Sequence, residues 1–179
     1  MKQFKIYLLA LFVFACSKDD AASDLPLDEQ LLGKWTLTNY YDDTFFVEGE
    51  YGVIEQMVPE ETDYGIEFTD NPKEIKTTGF LRYSREEYEI VNGEKVFTGS
   101  TGTNFMDGDD GEGYHAGTWK IEERKLVVTD SVQQGPDEFE EYSSISSIEL
   151  SGDNLKLTLD NAQFGSHLKG EIIIEYKRR

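Results

Sequence analysis

The sequence predicts an all-β domain, and three observations carry that expectation. From residue 34 to the chain end, short apolar runs alternate with polar residues, the period of a half-buried strand. Clusters of Gly, Asn, Asp and Pro divide these runs at close intervals, as turns do in an antiparallel barrel or sandwich. The pattern shows no helices able to cross between parallel strands, so neighbours in sequence are expected to pair in the sheet. An up-and-down meander of about ten strand segments is the simplest topology.

The elements follow in order. Leu25-Pro26-Leu27-Asp28-Glu29-Gln30-Leu31-Leu32 has proline near its start and acids in its first turn, which suits one short helix or 3₁₀ turn. In the first strand Trp35, Leu37 and Asn39 share one face, with Lys34, Thr36 and Thr38 on the other. Residues 42–63 carry a poor strand pattern. Residues 64–69 read as a strand stopped by Asp70-Asn71-Pro72, where proline removes a ladder donor and restricts its predecessor. Residues 75–83 resume extended structure. Residues 87–91 and 94–97 flank Asn92-Gly93, a pair that supplies the positive φ angles of a type I′ hairpin. Residues 97–106 and 114–122 read as partners across Asp107-Gly108-Asp109-Asp110-Gly111-Glu112. Trp119 and Ile121 alternate before the Glu123-Arg124 turn, and Leu126 and Val128 after it. Ile148 and Leu150 precede the turn Ser151-Gly152-Asp153-Asn154. Leu155, Leu157 and Leu159 then alternate strictly, and Ile172, Ile174 and Tyr176 close the chain in the same way.

The first sixteen residues have a different character. Lys2 and Lys5 precede an apolar run from Ile6 to Phe14, then Ala15 and the only cysteine, Cys16. That layout is an export signal, and its apolar run is far shorter than the roughly 20 residues a spanning helix needs. Val13-Phe14-Ala15-Cys16 resembles the lipobox of bacterial lipoproteins. The resemblance implies cleavage before Cys16 and a diacylglycerol on its thiol; two or three acyl chains make a stable anchor, at about 0.8 kcal/mol per buried methylene. Ser17-Lys18-Asp19-Asp20 is similar to the surface-export signal of Bacteroidetes lipoproteins. The organisation expected is therefore a cleaved signal peptide (1–15), a lipidated tether (16–24) and one barrel domain (25–179). Its expected place is the outer membrane, facing outward, with the membrane engaged through the lipid on Cys16.

Charge narrows the partners. With 17 basic and 36 acidic residues the formal net charge is −19, a field that repels nucleic acid and anionic lipid heads. Acidity does not imply disorder here, because 13% of the chain is aromatic and the apolar period is regular.

Leu32-Gly33-Lys34-Trp35, opening the first strand after a short turn, resembles the Gly-x-Trp signature of lipocalins. Gly117-Thr118-Trp119-Lys120-Ile121, the segment 125–129 and the late alternating strands extend the likeness to the lipocalin-like domains of Bacteroidetes lipoproteins. The resemblance implies an antiparallel up-and-down β-barrel of eight to ten strands. It also implies that Gly33, Trp35 and Arg178 form a fold signature, Trp35 lying across the closed end. Arg178 shares strand parity with Tyr176 and is expected to stack on Trp35, worth roughly 0.5–2 kcal/mol.

Chemistry is sparsely marked. There is no Ser-His-Asp order with a nucleophile elbow and no phosphate-cradling glycine loop, so the reading is non-enzymatic and without a cofactor. His115 and His167 lack zinc-ligand spacing and are expected to face solvent or sit in loops. No metal site is expected. Asp107, Asp109, Asp110 and Glu112 are the calcium candidates, yet Thr118 stands where an EF-hand loop needs its closing glutamate. Tyr83, Tyr88, Phe97, Phe105 and Tyr114 are candidates to line a pocket at a barrel mouth, beside the alternative that they fill the interior. Two functional readings follow. A barrel with an interior cavity of several hundred Å³ suits a carrier of a small apolar or amphipathic ligand. A filled barrel suits an interaction module that contacts protein or glycan through its loops. For the anchor, Cys16→Ser is expected to abolish incorporation of radiolabelled palmitate, and unchanged labelling would remove the lipoprotein assignment.

Overall fold

The computed structural model describes residues 25–48, 51–92, 94–135 and 138–179. One short helix, α1 (Leu27–Leu31), precedes the strands β1 (Gly33–Glu48), β2 (Tyr51–Thr62), β3 (Gly65–Phe68), β4 (Glu74–Thr78), β5 (Phe80–Val91) and β6 (Glu94–Asp107). There follow β7 (Gly117–Glu122), β8 (Lys125–Gly135), β9 (Glu138–Ser151), β10 (Asn154–Asp160), a 3₁₀ helix (Asn161–Phe164), β11 (Leu168–Lys169) and β12 (Glu171–Arg178). All pairings are antiparallel.

Eight of these strands close a barrel. The ring runs β1-β3-β4-β7-β8-β9-β10-β12 and returns to β1, which pairs Trp35 with Ile66 of β3 on one side and with Arg178 of β12 on the other. Strand β1 outlasts the ring, and beyond Asp42 it pairs with β2. The chain kinks between β2 and β3 and again between β4 and β5, so β2, β5 and β6 extend the wall past the ring as one side of an open mouth. Gly79 makes the second kink: its φ is +71°, and a Cβ there would stand 2.5 Å from the Asp63 carboxylate.

Three expectations change. Asn39 does not share the inward face of Trp35 and Leu37, because the β1–β12 register slips between Leu37 and Asn39. A bulge inserts one residue and reverses the parity, so Tyr40, Asp42 and Thr44 continue inward while Asn39 turns out to Glu175 (3.2 Å). Residues 42–63, poor in strand pattern, are mostly the end of β1 and the whole of β2. Their apolar alternation is weak because the buried positions at the end of β1 are polar, Asp42 and Thr44, and of β2 only Met57 packs on the core among the described side chains. The segments 97–106 and 114–122 are not partners. Strand β6 pairs with β5, whereas β7 pairs with β4 and β8. The Asn92 hairpin is present, with Asn92 at φ 55° and Val91 opposite Glu94; Gly93 lies outside the described residues.

The closed end is built on Trp35, which is 1% exposed. Helix α1 has only five residues, so its last carbonyls have no helical donor. The Trp35 indole N–H donates to Leu31 O (2.8 Å), and the Arg178 guanidinium donates to Leu32 O (2.9 Å) and to Gln30 O. The same guanidinium lies 4.2 Å from the Trp35 ring centre. Two side chains thus satisfy three successive carbonyls and seal the barrel base. Beside them Trp119 meets Phe68 edge-on at 5.2 Å and donates its indole N–H to Thr69 O (3.0 Å). Inward residues Leu37, Ile66, Ile75, Val128, Leu157 and Ile174 join them in one core cluster.

Removing Arg178 loses the cation–π contact, roughly 0.5–2 kcal/mol, and leaves carbonyls without donors at about 1–3 kcal/mol. Arg178→Ala is expected to lower stability in urea unfolding by about 2–4 kcal/mol, and Arg178→Lys to recover only part, since an ammonium cannot form the same planar fork. A loss under about 0.5 kcal/mol would contradict this account of the base.

Candidate functional site

Between β6 and β7 the chain crosses the open end of the ring. Residues 108–116 start at the β4–β5 wall, where Gly108 N–H donates to Gly79 O (2.7 Å) and Thr77 hydroxyl to Gly108 O (2.7 Å). Tyr64 hydroxyl then donates to Glu112 O (3.0 Å) from within the barrel, and Ser144 hydroxyl on β9 to Tyr114 O (2.9 Å). Glycine is required at position 113, where φ is +147° and the Tyr64 hydroxyl occupies the place of a Cβ. The loop is a plug, tied to both walls.

Asp109, Asp110 and Glu112 lie in this plug and Asp107 at the end of β6, and the carboxylates of Asp107, Asp109 and Glu112 face backbone donors. Glu112 accepts from Asp107 N–H (2.7 Å), Asp107 from Asp109 N–H (3.0 Å) and Asp109 from Gly79 N–H (2.8 Å). Asp110 lies exposed in the same turn. Among the described residues no group of three or more His, Cys, Asp or Glu is arranged to hold a metal ion.

Below the plug, buried side chains of the described residues pack closely. The void bounded by Leu37, Tyr40, Tyr64, Leu81, Met106 and Tyr114 measures about 10 Å³, close to the volume one water needs and far below the roughly 300–1,000 Å³ of ligand pockets. Plug residue His115 completes this packing and corrects the expectation of a solvent-facing histidine: it is on a loop, but 1% exposed. Its Nε2 lies 2.9 Å from the Ser146 hydroxyl, and its Nδ1 has no partner. Burial alone pushes its pKa down to about 4. This Ser–His pair is sealed from solvent and lacks a carboxylate, so it serves as a pin between plug and β9. His167 is exposed.

At the open end an aromatic cluster forms the rim, its inner members Tyr40 (3% exposed) and Tyr114 also bounding the void beneath. Tyr40 lies 6.0 Å from Tyr83 and 6.5 Å from Tyr114, which in turn lies 6.2 Å from Phe164. Asp42 is buried beside them. Its carboxylate accepts from Thr44 hydroxyl (2.6 Å) and Tyr40 hydroxyl (3.4 Å), while Asn161 bonds Thr44 (2.9 Å) and ties the 3₁₀ helix to β1. Burial raises the Asp42 pKa against those hydrogen bonds, and nearby Glu55 raises it further. Desolvation likewise raises Tyr40 and lifts Tyr114 to about 12. Farther out, Arg85 stands between Glu55 (3.4 Å) and Glu87 (3.1 Å).

The five aromatic candidates occupy three places. Tyr83 and Tyr114 join the rim. Tyr88 and Phe97 pack on each other at 5.5 Å near the β5–β6 hairpin, with Lys95 over Tyr88. Phe105 stacks on Phe80 at 5.5 Å on the outer surface and is half exposed. Gly33 opens β1 with φ +109°; Cys16 lies outside the described residues. Sequence reasoning missed Tyr40, Asp42 and Phe164. The bulge concealed the parity of the first two, and Phe164 sits in a four-residue 3₁₀ helix without a readable period.

A second concavity lies outside the ring, where β4 parts from β7 and β8. This open groove of about 490 Å³ is edged by Glu74, Asp109, Asp130 and Glu141 against a single Lys76. No family model, curated protein or solved structure matches the chain. Fold and geometry by themselves define the class: a closed eight-stranded antiparallel barrel, filled and plugged, with aromatic and acidic groups at its open end.

The buried neutral His115 makes the plug sensitive to acid. Its folded pKa lies below the unfolded value near 6.5, so the unfolded chain binds the extra proton first. The stabilisation is complete above about pH 6.5 and is lost as pH falls towards about 4. Asp42, with its pKa raised, acts in the opposite direction. The difference between wild type and His115→Gln isolates the histidine: wild type is expected to lose up to about 3 kcal/mol more than the variant over that window. Parallel pH–stability curves would contradict a buried neutral imidazole.

Proposed function

We propose that this chain is a lipid-anchored, non-catalytic interaction protein of lipocalin-like type that engages a protein or glycan through the open end of its barrel. Cys16 holds it to the outer membrane with the mouth directed outward, and the tether of residues 16–24 sets it off the surface. The observation that carries the reading is the filled interior: a void of about 10 Å³ beneath a tied plug leaves no internal room for cargo, while aromatic and charged side chains gather at the rim. The lipocalin-like assignment is supported by Gly33 at the start of β1, Trp35 across the base and Arg178 over its ring.

The carrier reading draws support from one feature, the cluster of Tyr40, Tyr83, Tyr114 and Phe164. An amphipathic molecule would have to lie on this rim, because the inside is occupied.

A photoreactive benzoylphenylalanine replacing Phe164, which is 43% exposed at the rim, is expected to yield a discrete covalent adduct on intact cells. The same group replacing Asp153, beside the closed end, is expected to yield none. Equal labelling from both positions, or none from Phe164, would contradict an interaction at the mouth. A stoichiometric small molecule retained in native mass spectrometry would turn the assignment to the carrier.

A further inference from the structure

Among the described residues strand β6 ends the sheet and has β5 as its only strand partner. Around the open end other bare strand positions are covered by side chains. The Gln163 carboxamide bonds both Ile145 N–H (2.6 Å) and Ile145 O (3.1 Å) on β9. Asp130 accepts from Ser131 N–H (2.8 Å) on β8, and Glu112 from Asp107 N–H (2.7 Å) at the end of β6. Within β6 the Thr98 hydroxyl accepts from Ser100 N–H (3.2 Å), and from Thr101 to Met106 there is no such cover among the described residues.

The ladder fixes which groups are bare. Phe80 donates its N–H to the Asp63 carboxylate (2.7 Å) and accepts Asp63 N–H (3.1 Å), both on the β2 side. Leu81 therefore bonds toward β6, where it meets Met106. Alternation then places Asn104 and Gly102 in the same ladder and turns the N–H and C=O of Thr101, Thr103 and Phe105 away from β5. Residues 96–106 contain no charge and no proline, the two usual means of blunting an edge. The bulge at Gly99 (φ +85°) disturbs only the earlier part, so residues 101–106 pair regularly with β5.

Charge selects the occupant. Glu94 opens β6, Asp107 closes it with Asp109 and Asp110 beyond, and β5 carries Glu86, Glu87 and Glu89. The nearby basic groups already have acidic partners: Arg82 with Glu61, Arg85 with Glu55 and Glu87, Lys95 with Asp43. A second copy fits poorly. Antiparallel self-pairing of β6 would join two bodies of net charge −19.

We infer that β6 is a strand-addition site that takes an extended, lysine- or arginine-bearing segment of a protein partner, paired along residues 101–105. The inference rests on the interaction reading above and specifies its partner. Main-chain hydrogen bonds supply affinity in this mode, and side chains beside the edge supply selectivity; here Phe105 and the flanking carboxylates fill that role.

The test uses the full-length chain in detergent, panned against displayed random peptides of about twelve residues, long enough to form a strand. Thr103→Pro removes one outward N–H while leaving the β5–β6 ladder whole, the edge position proline tolerates. Selected peptides are expected to be rich in β-branched and basic residues, to weaken with added salt, and to bind Thr103→Pro about tenfold less well. N-methylation of alternate peptide bonds is expected to have the same effect. Acidic or no selected peptides, or equal binding to the variant, would overturn the inference. Should Thr103→Pro fail to fold, Thr103→Lys gives the same readout by repelling a basic strand. Peptides that bind independently of β6, together with crosslinking from Phe164, would sink the edge and leave the rim reading standing.

Discussion

Closure of the barrel depends on β1, which pairs with four other strands and joins the first part of the ring to the last. Over Trp35 and Thr36 it is bonded to β3 and β12 together, and farther along it hands over to β2 and β11. The first contact is made secure at the base, where Trp35 and Arg178 take up the last carbonyls of α1. Without the β1–β12 ladder the ring would be an open sheet with two long edges, an aggregation hazard that a closed barrel avoids.

A ring of eight strands is only wide enough for side chains to fill it or for one small ligand. In this chain filling wins. Leucines and isoleucines from β10 and β12 meet Trp35, Tyr64, Phe68 and Trp119 below, and His115 brings the plug down from above. The plug makes the barrel complete from within, so recognition moves to what lies past it: the rim, the outer groove and the bare stretch of β6. The bulge after Leu37 is part of this arrangement, because it turns Tyr40 and Asp42 inward and lets one strand supply both core and rim.

Much of the ring was legible because its residues obey local rules. The leucines of β10 and the apolar residues of β12 alternate without interruption, the turns at Asn92 and Gly152 have the residue types their φ angles demand, and Arg178 has the parity that puts it over Trp35. The remainder depends on contacts between distant residues. The slip that displaces Asn39 is set by pairing with β12, and of β2 only Met57 is placed against the core among the described side chains. A lone histidine in a glycine-rich loop gives no sign of burial. Tyr83 and Tyr114 were named from aromatic supply, yet their neighbours Tyr40 and Phe164 lay hidden behind a bulge and a short 3₁₀ helix.

Native-state hydrogen exchange along β1 tests the closed ring most directly, because consecutive amides in a strand point to opposite neighbours. The amides of Trp35, Thr36 and Leu37 are all expected to exchange only through global unfolding, as are those of Ile172 to Tyr176 on β12. Fast exchange at every second amide of β1 would mean that one side of the strand is bare, and the barrel would then be an open sheet.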